Sequence, residues 1–293
     1  MNYFPVGKKV EKQKYKTIVT DLSTELPSPP FTTTDVRATV LNGEIHVFYK
    51  SSHRKYNYAT GWTDVRNTPF VADLLRYFSA VTLNGEIHLI GGNSQNTTMH
   101  YKWDGNTWTQ VSTFPIRFYF TVVIVFEGEI HALGGLDGNT HYKWDGKTWT
   151  SVEVPPANFS EGTACVYNDE IHIIGYEGHL NSHYKWDGKT WTSVGTLPIN
   201  VSTANSAYAV AMNNAIYFYY YNTRAIFKDS AWKVLAKYVY SSGSWSKTAP
   251  FEHSVRSSAV VFLDGVHIIN YYDGNDSRAS HSIENINLSI PID

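Results

Sequence analysis

One twelve-residue string, written three times, limits what this chain can become. HYKWDGNTWTQV begins at His100, and HYKWDGKTWTSV begins at His141 and again at His183. Each copy follows a segment such as LNGEIHLIGG, which starts at Leu83. Weaker versions of that segment start at Leu41 (LNGEIHVFY), Phe126 (FEGEIHALGG), Tyr167 (YNDEIHIIG), Met212 (MNNAIYFYY) and Leu263 (LDGVHIIN). The shared position is His46, His88, His131, His172, Tyr217 and His267, at intervals of 41 to 50 residues. A period in the forties matches the four-stranded blade of a β-propeller, whose units bury their faces against one another.

Within a unit, strand A is an apolar run (79–83, 121–126 and 163–167), and an Asn-Gly type of turn leads into strand B. Asn84-Gly85 has the residue types that accept positive φ in a two-residue hairpin. Strand C is HYKW and strand D is TWT, joined through Asp104-Gly105, Asp145-Gly146 and Asp187-Gly188. The sixth unit offers strands A, B and C at about 256–262, 264–270 and 279–286, with no tryptophan-bearing D strand after them. Residues 15–30 align with 189–200, placing Ile18 where Trp191 stands, so the N-terminal strand is expected to complete the last blade and remove the open edges. The expected architecture is all-β: a six-bladed propeller of four-stranded antiparallel blades, closed by its N-terminal strand. It forms one domain over 1–293, with an extension at 1–14, a closing strand at 15–25, and blades at about 31–66, 74–112, 117–154, 160–196, 204–249 and 255–290.

The unit resembles the kelch repeat, in which a glycine pair ends strand B and a Tyr and a Trp come downstream. The matching residues are Gly91-Gly92, Gly134-Gly135, Tyr101, Tyr142, Tyr184, Trp108, Trp149 and Trp191. Units one, five and six depart from it, with Tyr49-Lys50, Tyr219-Tyr220 and Asn270-Tyr271 where the glycines would be. The HYKWDGxTWT wording also resembles repeats in tail and tail-fibre proteins of phages, and that resemblance implies a virion component.

A net charge of −2 supplies no positive field to draw the chain onto nucleic acid or an anionic membrane. The single cysteine, Cys165, has no disulfide partner and sits in the apolar TACVY run, where it reads as a small buried hydrophobe. MNYFPVGKKVEKQKYK is not followed by an apolar run, so no secretory signal is expected, and membrane insertion is not expected either.

Twelve histidines raise the question of a metal. A metal centre needs one asymmetric cluster, whereas His46, His88, His131, His172 and His267 recur once per blade in strand B, and His100, His141, His183 and His281 in strand C. Periodic positions serve packing, so hydrogen bonding between strands or blades is expected, with no metal and no cofactor. Trp108, Trp149, Trp191 and Trp245 are expected to fill the widening wedge between blades. Trp103, Trp144 and Trp186 are expected at a partly exposed outer rim, with a minor stacking surface there as the alternative to packing. Cys165 does not fit a copper-radical oxidase, WDGKTW misses the sialidase Asp-box spacing by a residue, and no nucleophile elbow, phosphate loop or HExxH helix is present. No catalytic residue is assigned, and the chain reads as a non-enzyme.

The two ends of the blades differ. The A–B and C–D turns repeat with little change, as geometry alone would require. The B–C and D–A connections vary: NSQNTTM, YEGHLN and YYNTRAIFKDSAW against NTPFVADLLRYF, STFPIRFY and VPPANFSEG. The candidate ligand-binding surface is therefore that second face, with Arg76, Tyr77, Arg117, Tyr119, Phe159, Tyr176, His179, Arg224, His253 and Arg256 as its residues. Arg76, Arg117 and Arg256 each open an A strand, where a strand-end salt bridge is an equal alternative to ligand contact. The chain thus reads as a binding or structural propeller located in the virion, its expected partners a host-surface glycan or protein or a neighbouring virion subunit. A cytoplasmic kelch adaptor for protein partners is the alternative, and a carbohydrate-active enzyme on a propeller scaffold the third. The propeller itself can be monomeric.

Overall fold

The computed structural model describes residues 15–18, 23–26, 36–57, 59–69, 77–92, 98–117, 121–135, 139–156, 159, 162–176, 179–199, 207–220, 223–237, 239–241, 244–246, 255–262, 265–272, 279–285 and 288–291, with side chains described only between residues 36 and 234. The chain enters through β1 (Tyr15–Ile18) and β2 (Ser23–Leu26). The first blade is β3 (Arg37–Leu41), β4 (Glu44–Tyr49), β5 (Ser52–Asn57) and β6 (Gly61–Asp64), and the second is β7 (Tyr77–Leu83), β8 (Glu86–Gly92), β9 (Met99–Trp103) and β10 (Trp108–Thr113). The third is β11 (Val122–Phe126), β12 (Glu129–Leu133), β13 (His141–Trp144) and β14 (Trp149–Ser151). The fourth is β15 (Thr163–Tyr167), β16 (Glu170–Tyr176), β17 (His179–Trp186) and β18 (Trp191–Thr196), and the fifth β19 (Ala207–Met212), β20 (Ala215–Tyr220), β21 (Thr223–Lys228) and β22 (Ala231–Lys237). The remaining strands are β23 (Val239–Ser241), β24 (Ser244–Ser246), β25 (Val255–Phe262), β26 (Gly265–Tyr272), β27 (Ala279–Asn285) and β28 (Leu288–Pro291).

The chain is an all-β propeller of antiparallel four-stranded blades, but five blades, not the six expected, are units folded from four successive strands. Beyond the fifth blade lies a composite sheet in the order β2-β27-β26-β25, which takes its outer strand from the other end of the chain. The reason lies in the last unit, which supplies only β25, β26 and β27 to that sheet; the fifth unit departs from the expected layout as well, because its D strand comes early. The Asp229-Ser230 turn joins β21 directly to β22, so Trp232 pairs with Phe227, and the expected D-strand tryptophan, Trp245, falls in a separate β23-β24 hairpin. The closing strand is also displaced from 15–25. Ser23–Leu26 pairs with β27, while Tyr15–Ile18 pairs with β28. Removing residues 1–26 would strip β27 of its outer neighbour, β2. We expect the truncated chain to melt more than about 10 °C lower in a calorimetric scan; an unchanged melting temperature would show that this edge is dispensable.

Hairpin chemistry fixes the register of each blade. Asn42-Gly43 (φ 51° and 72°), Asn84-Gly85 (52° and 77°) and Asn213-Asn214 (51° and 58°) all adopt the left-handed pairs that match strand twist. At the C–D turns a carboxylate does the work. Asp104 accepts from the Asn106 and Thr107 amides at 2.8 and 2.7 Å, and Asp145 and Asp187 repeat the arrangement. These backbone bonds hold all three carboxyls below the usual carboxylate range.

The core lies between the blades. Leu41 and Phe48 of the first blade pack with Phe78, Ile87, Leu89 and Trp103 of the second, and Leu83 and Ile90 meet Ile130, Ala132 and Trp144 at the next joint. Phe126, Leu133, Ile171, Ile173 and Trp186 fill the third joint, and Cys165, Ile174, Ile216, Phe218 and Phe227 the fourth. Cys165 is buried as expected, and burial pushes its thiol up. First strands touch first strands, β3 to β7, β7 to β11, β11 to β15 and β15 to β19, while β25 packs beside both β19 and β3.

Candidate functional site

The repeated histidines form a buried pair in each of four blades. Nδ1 of the strand-B ring faces Nε2 of the strand-C ring in His46–His53 (2.8 Å), His88–His100 (2.9 Å), His131–His141 (2.9 Å) and His172–His183 (2.7 Å). Period-two alternation places each pair on one sheet face, and none of the eight rings is more than 5% exposed. Desolvation drives the strand-B rings down to about 4 and the strand-C rings to about 3, so all eight are neutral at pH 7. Among the described residues no three His, Cys, Asp or Glu side chains converge as a metal site.

The neighbouring Glu–Lys pairs are equally periodic. Glu44–Lys55, Glu86–Lys102, Glu129–Lys143 and Glu170–Lys185 span strands B and C at 2.8 to 2.9 Å. All are partly exposed, where such pairs contribute about 0–1 kcal/mol each. They are part of the sheet surface and leave each carboxylate committed.

One expectation about tryptophan reverses, while Trp108, Trp149 and Trp191 pack between blades as expected. Trp103, Trp144 and Trp186 are only 3, 3 and 4% exposed, so they form no stacking rim. Each packs on the strand-C histidine of the preceding blade, Trp144 5.0 Å from His100 and Trp186 4.8 Å from His141 between ring centroids. The blade faces are covered by the neighbouring blade, so the strand-C rings lie in the joint. Trp108, Trp149 and Trp191 are the partly exposed set. Their indoles still reach back across a joint: Trp149 donates to Ser112 Oγ (3.2 Å), and Trp191 to the Glu153 carbonyl (3.0 Å).

The varied face is described in part. Arg117 is exposed there, on the segment leaving the second blade. Phe159, expected as a ligand contact, is instead fully buried, because its ring joins Phe126, Ile171 and Trp186 in the joint. Gly134 (φ 79°) gives the backbone room for this: a Cβ there would land on the Phe159 carbonyl oxygen. Tyr77, Tyr176, His179, Arg224 and Arg256 lie within strands, the backbone of Tyr77 opposite Gly92, of Tyr176 opposite His179 and of Arg224 opposite Tyr219. Arg224, expected in a B–C loop, belongs to β21. Arg76, Tyr119 and His253 lie outside the described residues. The expected residues are thus not brought together as one described cluster.

Arg37 escapes a reading of the sequence, although it opens an A strand just as Arg76, Arg117 and Arg256 are expected to. Its Nε donates to the Phe78 carbonyl (2.8 Å) and Nη1 to the Val36 carbonyl (2.9 Å), with the guanidinium 5.8 Å from the Phe78 ring centre. This arginine staples the first blade to the second. His53 escapes it too, and an alignment of SHRKY with HYKW is the signal that finds it.

No family model matches the chain, and no curated protein matches it. Among solved structures it is similar to the protein of "Structure of YjhT", at 12% identity and a TM-score of 0.71 over 89% of this chain and 97% of that one. At that identity the likeness carries the β-propeller arrangement and nothing finer.

Proposed function

We propose that this chain is a non-catalytic binding or structural propeller of kelch-like repeats, carried on a phage tail, fibre or virion surface. Its varied face binds a host-surface glycan or protein, or a neighbouring subunit. The observation that carries the reading is the contrast between the two ends of the blades. At one end the same positive-φ hairpins and aspartate-held turns recur from blade to blade, as turns kept for geometry do. At the other the connections differ in every unit and carry the arginines and aromatics that suit a recognition surface. The buried histidine pairs leave that surface as the place where specificity can vary. Resemblance to phage tail repeats supports the virion setting.

A glycan array probed with the purified chain and with a folded Arg76→Ala, Arg117→Ala, Arg256→Ala variant tests this reading. Selective binding that falls at least tenfold in the variant is expected. Release of reducing sugar from a bound polysaccharide would overturn it in favour of an enzyme, and equal binding by both proteins would move the site off this face.

A further inference from the structure

The four histidine pairs differ in what holds the strand-C ring, and the difference sits four residues after the D-strand tryptophan of the same blade. Ser112, Glu153 and Gly195 occupy that position in blades two, three and four. An indole N–H only donates and a carbonyl only accepts, so the proton positions can be assigned. In the fourth blade Trp232 Nε1 donates to His183 Nδ1 at 3.1 Å, so His183 carries its proton on Nε2 and donates it to His172 Nδ1. His172 is then protonated on Nε2, 3.8 Å from a Glu170 oxygen. Both acceptor nitrogens of the pair are occupied.

We infer that the joint between the fourth and fifth blades is an acid-triggered opening point of the ring, because a proton added to the His172–His183 pair must break either the bond between the rings or the Trp232 bond that ties in the fifth blade. A proton on His183 Nδ1 opposes the Trp232 N–H. A proton on His172 Nδ1 opposes the His183 Nε2–H, and relaying that proton onward delivers it to the same clash with Trp232.

The other joints escape this. In the second blade the Ser112 hydroxyl lies 3.1 Å from His100 Nδ1; it can turn, accept from a protonated His100, and still accept from Trp149. In the third blade His141 Nδ1 and Trp191 both donate to the Glu153 carbonyl, so the pair runs in the opposite sense, and a new proton goes to His131 Nε2, which has no partner among the described residues. At the first joint no hydrogen bond links Trp108 Nε1 to His53 Nδ1, so none can be lost.

The groups facing the fourth-blade pair are Glu170 and Lys185 on its own strands, Cys165 and Tyr167 from β15, and Phe227 and Trp232 from the fifth blade. Burial lowers both rings, His183 to about 3 and His172 to about 4, so below the ordinary 6.5 the opened joint takes up protons that the closed joint refuses.

The test tracks the indole N–H signals of Trp149, Trp191 and Trp232 in the 15N-labelled full chain, assigned by Trp→Phe replacement, as pH falls from 7.5. The Trp232 signal is expected to shift or vanish at a higher pH than the other two. In Trp232→Phe the early step, read at the Ala225 and Phe227 amides, should disappear. Simultaneous loss of all three signals, persistence of Trp232 to the lowest pH, or an early step unchanged in the variant would overturn the inference.

Discussion

Lowering the pH from 7 to 4 is expected to unfold this protein, with a midpoint between about pH 4 and 6. The eight buried histidines bind protons near 6.5 in the unfolded chain, but only near 4 in strand B and near 3 in strand C once folded. The unfolded state therefore holds more protons below pH 6.5, and stability falls with falling pH until the folded values are reached. At pH 5 each ring accounts for about 2 kcal/mol, and the eight together for about 16 kcal/mol. That is comparable to the whole stability of an ordinary domain, about 5–15 kcal/mol. Far-ultraviolet circular dichroism against pH measures it. A fold intact at pH 4 would mean that the pairs are hydrated or that the unfolded chain keeps them together.

The second large effect is at one glycine. Replacing Gly134 by alanine should remove about 4 kcal/mol or more, enough to leave little folded protein at 37 °C, since the new Cβ collides with the Phe159 backbone at a residue held at φ 79°. Gly105→Ala is the matched control. Its φ is 99°, but a Cβ there meets nothing within 4 Å, so only the conformational cost of about 1–2 kcal/mol remains. Urea denaturation of the two variants side by side measures the difference. Equal losses would mean that the Phe159 segment moves aside freely, and that the glycine pair ending strand B answers to turn geometry rather than to the plug from the next joint.

Much of the scaffold is legible in the chain because its signals are local and repeated. Asn84-Gly85 and Asp104-Gly105 specify turns by their own chemistry, and period-two alternation puts His88 and His100 on one face. The illegible part depends on the neighbouring blade. Nothing in HYKW says that Trp103 will be covered by Leu41 and Phe48 of another unit, or that Trp232 reaches His183 while Trp191 finds a carbonyl. Trp245 misleads because it sits beyond a long connection in the place of a D-strand tryptophan, whereas Asp229-Ser230 has already made the turn. Phe159 misleads because an aromatic in a varied connection suits a binding surface and a plug equally well.

The eight paired histidines of the first four blades are neutral joints of the scaffold. Ring 15N chemical shifts of the labelled histidines, measured from pH 8 down to the onset of unfolding, test this most directly. The expected result is Nε2–H on His183 and Nδ1–H on His141 at pH 8, six rings that stay neutral until the fold is lost, and a His172–His183 pair that takes up protons only as its joint with the fifth blade opens. A pair that titrates near pH 6.5 while its joint is closed, or that shifts on adding zinc, would contradict it.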